Sequence, residues 1–423
     1  MRRHKVFEWF VTAIVGTGLI VLFLNRGMFF RSAAAQSSSL GATAGSVNIV
    51  VADAKARAIL ANMTEDEKIG QLIIPMSSDT SMNADMTALI QQYHIGGYFI
   101  PEYTATAQQL HDFVNQMQAA SQIPMMMVTD FEGGGWNTLR AEVGERPYPS
   151  DIGASGNTQL AYQKGIEDAK LLKSVGLNAD FAPVVDVLTN PNDTILLGRV
   201  FGSDPNLVTK MSQAYLQGLA AGGIPGCLKH FPGLGASSVD PHKALPVINR
   251  TLQQLQSVDW VPYEKLIPEN LAPMIMVTHI LIPALDPNLP ASVSPSVING
   301  YLRHTLGYNG VVVSDALFMG GLSYKYTVPQ AGLLAFEAGT DLLLGALNAA
   351  QALQTINLIK GAISSGQITQ SYLDNSVLRI LTLKLQWGII PVNFTLNSGT
   401  AATVLQIPGQ AVILNREPSD NIA

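Results

Sequence analysis

Disulfide chemistry is excluded at once, because the 423 residues hold a single cysteine, Cys227. With no partner inside the chain, it leaves cysteine usage silent on redox compartment. Charge is scarce as well. Only 13% of residues are Asp, Glu, Lys or Arg, the net charge is −6, and no basic stripe runs through the sequence. That excludes the electrostatic footprint of a nucleic-acid binder. The middle of the chain also lacks low-complexity tracts and short repeats, which excludes a solenoid. What the chain has in quantity is apolar residues, 47% of the total. That is enough for a sizeable core and too much for global disorder. The length admits one large domain or two ordinary ones, since α/β barrels run beyond about 200 residues as one unit.

The amino terminus carries an address. Arg2, Arg3 and Lys5 precede a mostly apolar run over residues 6–24, with Glu8 the charge inside it and Asn25 and Arg26 closing it. A run of this length just spans a bilayer. The basic flank stays cytoplasmic, which puts the rest of the chain outside. The alternatives are a cleaved signal peptide, with Ala33-Ala34-Ala35 as a small-residue cleavage site, or a buried amino-terminal helix. Residues 1–31 are therefore expected to be a signal anchor or signal peptide. Membrane contact is expected through that segment alone. Residues 32–48, rich in Ala, Ser and Gly, read as a flexible linker.

A helical pattern follows over 52–63. Thr64 with Glu67 then reads as a capping box opening another short helix. Beyond it, short apolar runs alternate with helix-like segments. The runs fall at 71–75, 96–100, 125–129, 178–181, 226–229, 274–278, 311–314 and 341–344. Strands of a parallel sheet covered on both faces read as continuous apolar stretches, not as alternating ones. Eight of them with intervening helices predict a (β/α)8 TIM-type barrel, with a doubly wound open sheet as the competing α/β architecture. The ends of the runs favour the barrel. Asp130, Lys229-His230, His279 and Asp315 all follow directly on apolar stretches, and a barrel gathers such ends on one face. The barrel is expected over residues 49–390. The tail over 391–423 has no assigned role.

Four constellations carry chemistry. Lys229-His230-Phe231-Pro232-Gly233-Leu234-Gly235 leads into Asp240-Pro241-His242. An Asp two residues before a His accepts the imidazole N–H, fixes the tautomer and makes the other nitrogen the proton carrier. An ordinary surface loop would carry the same residues without that role. Asp315, ending the run 311–314, reads as a nucleophile or as the N-cap of a helix starting near Ala316. Asp130-Phe131-Glu132-Gly133-Gly134-Gly135 has glycines that let a backbone come close, an Asp able to accept from sugar hydroxyls, and Glu132 able to support it. Without Gly-Lys-Ser/Thr it is no phosphate loop. Arg199, in a Gly-flanked loop, binds a ligand oxygen through its fork or pairs structurally with Asp186 or Asp180.

In series these segments resemble the glycoside hydrolase family 3 enzymes, in order from about residue 50 to 390. Met63-Thr64-Glu65-Asp66-Glu67-Lys68-Ile69-Gly70-Gln71-Leu72 is similar to the family's opening segment. The Lys-His-Phe-Pro-Gly-x-Gly…Asp-x-His stretch at 229–242 resembles the β-N-acetylhexosaminidase branch, not the β-glucosidase branch. Pro290–Ser294, Gly307–Gly310 leading into 311–317, Ala335–Asp341 and Arg379–Lys384 complete the resemblance.

The resemblance implies a retaining exo-glycosidase that removes terminal β-linked N-acetylglucosamine, in cell-wall or chitin-derived sugar turnover. It implies Asp315 as the nucleophile, His242 as acid/base and Asp240 as its orienting partner. Asp130, Arg199, Lys229 and His230 would hold the sugar, with no metal or organic cofactor. Another family 3 exo-glycosidase, a phosphorylase variant and a catalytically silent sugar binder are the other readings. The chain departs from the family's Asp-Gln-Glu-Gly-Gly-Arg-Val-x-Arg pattern at Phe131, Gly135, Trp136 and Thr138, leaving Arg140 as a candidate substitute for the missing second Arg. Leu234 and Pro241 depart as well, and Pro241 stiffens the Asp-x-His loop.

Overall fold

The computed structural model describes residues 48–76, 79, 81–101 and 106–396, with the backbone of 406–407 and 410–411. The apolar run at 6–24 and the linker up to residue 47 lie outside the described residues. Among those described, no helix is long and apolar enough to cross a membrane.

The chain forms an α/β barrel, and each of the eight apolar runs contributes a strand. These are β1 (Ile73–Pro75), β2 (Gly97–Phe99), β3 (Met126–Thr129), β4 (Ala179–Asp180), β5 (Cys227–Phe231), β6 (Met274–Val277), β7 (Val311–Ser314) and β8 (Leu343–Ala346). Every residue in them is buried, which is why they read as unbroken apolar stretches. Neighbours pair in parallel around the ring, with single bridges at Met76–Phe99, Val184–Lys229 and Val313–Leu342 completing the ladders. The ring closes where Ile73 of β1 faces Leu343 of β8. That closure excludes the open doubly wound sheet.

The outer layer runs α3 (Ala84–Tyr93) after β1, α4 (Ala107–Ala120) after β2, α5 (Thr158–Ser174) after β3 and α6 (Pro205–Ala221) after β4. A helical stretch ending in α7 (Val261–Leu266) follows β5, and a π-helical segment (Ser296–Thr305) follows β6. Then α8 (Val328–Ala338) follows β7 and α9 (Ala349–Ser364) follows β8. Among the described residues two helices precede β1, α1 (Ile49–Leu60) and α2 (Glu65–Gly70), and α10 (Gln370–Gln386) is the last helix. The expected capping box forms. The Thr64 hydroxyl accepts from Glu67 N–H, and the Glu67 carboxylate accepts from Thr64 N–H at 2.6 Å. The helical pattern read at 52–63 begins slightly earlier, at Ile49. After α10, Phe394 and Leu396 still pack against the core.

The barrel's amino-terminal end shows why three distant sequence segments go together. Arg303 and Arg379 both reach the buried Asp341 carboxylate, at 2.8 and 2.7 Å. Ser376 O–H and Val312 N–H donate to it as well. Burial would push the Asp341 carboxyl up, but the two guanidinium groups and these donors hold it below the usual range. Lys384 Nζ donates to Gln71 Oε1 at 2.8 Å, tying α10 to the segment before β1.

Candidate active site

The opposite, carboxyl-terminal end of the barrel holds a cavity of about 340 Å³. Met76, Phe99, Asp130, Lys229, His230, Met276, Asp315 and Leu344 line it, from the ends of every strand but β4. The loop after β4 supplies Ile195 and Arg199, and the loop after β5 supplies Leu234, Pro241 and His242. The volume is at the low end for small-molecule sites. It matches one sugar ring better than a chain of them.

Asp315 follows β7 directly. Its Oδ2 accepts from the Thr278 hydroxyl at 2.7 Å and its Oδ1 from Ala316 N–H at 2.8 Å. Burial alone would raise its pKa. The rings of His279 and His230, the Thr278 hydroxyl and the Ala316 N–H outweigh that and hold it at about 2. Asp315 is thus an anion at neutral pH. The N-cap alternative fails, because the next helix starts at Gly320 with Met319 at its cap. His279, behind Asp315, donates Nε2–H to Ala316 O at 3.0 Å and accepts from Ser292 Oγ at 2.7 Å through Nδ1. Burial lowers its pKa against the opposing pull of the Asp315 charge, and the ring buttresses the segment that carries Asp315.

The polar floor is a cluster of alternating charge. Glu132, at the hairpin after β3, accepts from Arg199 Nε and Nη2, each at 2.7 Å. Lys229 Nζ lies 2.6 Å from both Glu132 and Asp130. Arg199 therefore pairs with Glu132, and neither Asp186 nor Asp180 is its partner. Asp186 instead accepts from His230 Nδ1–H at 2.6 Å and from Leu234 N–H at 2.7 Å. Asp180 accepts from Phe131 N–H at 3.0 Å and from the Tyr215 hydroxyl at 3.1 Å, under the hairpin. Burial works against the Glu132 carboxylate, but Arg199 and Lys229 outweigh it and hold its pKa at about 2. Burial likewise opposes the Lys229 charge, and Asp130 and Glu132 override it, keeping the ammonium charged. Asp130 is the floor's open face, with 28% of its side chain exposed and Oδ1 engaged by Lys229.

His242 sits at the rim with 43% of its side chain exposed. Its Nδ1–H donates to Asp240 Oδ1 at 2.8 Å, and its own backbone N–H donates to the same oxygen at 3.0 Å. Partial burial raises the Asp240 pKa, but these two bonds and the Lys243 charge bring it below its usual value. The loop is fastened from the other side. Gly320 N–H donates to His242 O and Gly321 N–H to Pro241 O, both at 2.9 Å. A Cβ on Gly320 would lie 2.4 Å from the Lys243 backbone, so only glycine permits this approach. The loops after β5 and β7 thus lock together, carrying His242 and Asp315.

All seven residues expected at the site belong to this region: Asp130, Arg199, Lys229, His230, His242 and Asp315 line the cavity, and Asp240 stands behind His242. Sequence reasoning had left Trp136 as a mere departure and had not placed Asp186, Thr278 or the Gly320–Gly321 contact. Arg140 does not replace the missing arginine, because it pairs with the exposed Glu145, away from the cavity. Thr138 bonds to Thr129 Oγ1 and Asp130 O, which stiffens the hairpin.

Residues 64–383 match the model of the Glycosyl hydrolase family 3 N terminal domain. The chain is 30% identical to "Beta-hexosaminidase LpqI" of Mycobacterium tuberculosis over 379 residues, covering 88% of this chain and 96% of that one. It is 32% identical to "Beta-hexosaminidase A" of Pseudoalteromonas piscicida over 332 residues, 72% of this chain but only 56% of that relative. Among solved structures, it is similar to a family 3 beta-N-acetylglucosaminidase from Paenibacillus sp. str. FPU-7. The TM-score is 0.75 at 30% identity, covering 83% of this chain and 66% of that one.

Proposed function

The chain belongs to glycosyl hydrolase family 3, and on that footing we propose that it is a retaining exo-glycosidase releasing terminal β-linked N-acetylglucosamine. The observation that carries the proposal is an ionised carboxylate, Asp315, facing the same small cavity as an Asp-oriented imidazole, His242. The relatives' names supply the sugar. A cavity of about 340 Å³ supports removal of one terminal residue at a time.

In the first step, an Asp315 oxygen attacks the anomeric carbon and the glycosidic C–O bond breaks. His242 delivers the Nε2 proton to the leaving oxygen, while Asp240 holds Nδ1–H and steadies the imidazolium. In the second step His242 takes a proton from water, the water oxygen bonds to the anomeric carbon, and Asp315 departs as carboxylate. Asp130, Arg199, Lys229 and His230 bind the sugar hydroxyls. Thr278 and Ala316 keep the Asp315 oxygens aimed while its charge is consumed and regenerated.

The test is turnover of aryl glycosides by the full chain in mild detergent, with and without inorganic phosphate. Higher kcat/KM for aryl β-N-acetylglucosaminide than for aryl β-glucoside supports the reading, and equal or reversed values overturn it. A sugar 1-phosphate as the main product with phosphate present would promote the phosphorylase reading. We also place the barrel outside the cytoplasm, in cell-wall or chitin-derived sugar turnover, tethered or exported through residues 1–31. Protease added to intact spheroplasts should digest it, and protection until lysis would refute this location.

A further inference from the structure

Trp136 is a large apolar side chain left 36% exposed at the cavity, so filling a core does not account for it. It lies on the short strand Trp136–Asn137, which pairs back onto the segment carrying Glu132. Its ring sits under the Arg199 guanidinium, 4.0 Å from centroid to Cζ. Arg199 is itself immobile, forked onto Glu132 in a fully buried pair. The indole also stacks with the His242 imidazole, ring centroids 5.9 Å apart and planes 27° apart. The indole therefore bridges a fixed cation in the floor and an exposed imidazole on the rim.

From this arrangement, and resting on the proposed roles of the site residues, we propose that Trp136 is the positioning residue for the acid/base His242. Asp240 fixes one nitrogen of that ring, and Gly320 and Gly321 fix the backbone beneath it. Neither sets the tilt of the ring plane over the cavity. The indole does so, and its contact with the Arg199 guanidinium, itself forked onto Glu132, anchors the reference point. An aromatic face beside an imidazole also favours the cationic form that appears after a proton is taken up.

The consequence falls on proton transfer and not on the sugar. Acid/base help is worth about 10²–10⁴-fold in total, and a mis-tilted imidazole forfeits part of it. Trp136→Ala should lower kcat/KM roughly 10–100-fold for a phenyl N-acetylglucosaminide, whose leaving group needs the proton. For the dinitrophenyl substrate kcat/KM should change little, while kcat should fall and be partly restored by azide. Trp136→Phe should recover at least part of the loss, because a ring remains to stack. An equal loss of kcat/KM on both substrates, or a Phe variant as impaired as Ala, overturns the proposal. A second measurement is independent of turnover. In histidine-labelled protein the His242 ring resonances, identified by their loss in His242→Gln, should move in Trp136→Ala as the ring current vanishes. Unmoved resonances overturn the proposal even if the substrate has been misassigned. Inactivity of the unaltered chain on both substrates rejects the reading of the site and leaves the resonance shift to decide the contact.

Discussion

Replacing Glu132 by Gln should destabilise the barrel in a pH-dependent way whose size follows from the site's geometry. The substitution keeps shape and volume but removes the charge that Arg199 and Lys229 share, at 2.7 and 2.6 Å. The folded carboxyl sits at about 2, against a usual 4.5. At about 1.4 kcal/mol per unit, that difference is worth about 3 kcal/mol in favour of the folded state. The side chain is fully buried, so solvent screening does not discount it. The figure agrees with the roughly 3–5 kcal/mol lost when one partner of a buried ion pair is removed. In a barrel of this size it corresponds to a fall in Tm of roughly 4–5 °C. The folded pKa is depressed, so the contribution is complete above about 4.5 and drains away as pH falls towards 2. Thermal and urea unfolding of the parent and Glu132→Gln, at intervals from pH 7 to pH 3, read both size and window. The deficit should be largest at pH 7 and shrink below pH 4.5. Equal stability at pH 7, or a deficit constant down to pH 3, would refute the claim that Glu132 works as the shared anion of the floor.

Three further outcomes are expected. Asp315→Ala should nearly abolish turnover, while His242→Ala should accumulate a glycosyl-enzyme on Asp315 from an activated substrate, seen by mass spectrometry, and respond to azide. Asp240→Asn should fall between the parent and His242→Ala. Gly320→Ala drives a Cβ to within 2.4 Å of the Lys243 backbone, so the Asp240–His242 loop must shift. Its kcat/KM should drop more for poor leaving groups than for dinitrophenyl, and a uniform loss would mean the loop had not moved. Burial holds the Lys384 ammonium down at about 7, so this lysine opposes folding wherever the unfolded chain still binds its proton. Stability from this group rises as pH climbs from 7 towards 10.5. Lys384→Met should therefore raise Tm at pH 6, with the gain over the parent narrowing by pH 10.

The barrel and much of its site were legible in the residues, because the signals involved are local. A strand buried on both faces must be apolar along its whole length, and each of the eight runs is such a strand. Thr64 and Glu67 are three positions apart, so their reciprocal cap needs no tertiary information. Asp240 and His242 lie within reach of each other on one loop, and their hydrogen bond could be anticipated from spacing alone. Strand edges moved by up to two residues, most at β8, where Asp341 turned from a strand residue into the anchor for Arg303 and Arg379.

The pairing of charges across the barrel was decided only by the fold. The sequence offered Asp186 and Asp180 as partners for Arg199, and it took Glu132 instead, 67 positions away, because the hairpin after β3 and the loop after β4 meet over the same floor. His230 took Asp186, 44 positions away, through the bridge between the β4 and β5 segments. Trp136 reads in the sequence only as a departure from the family pattern, and its contacts with Arg199 and His242 belong to the fold. Composition and period determine which residues must leave water, and so the layers and the barrel. They carry no record of which buried charge faces which, because a Coulomb partner is chosen by distance in space and distance in space belongs to the closed ring.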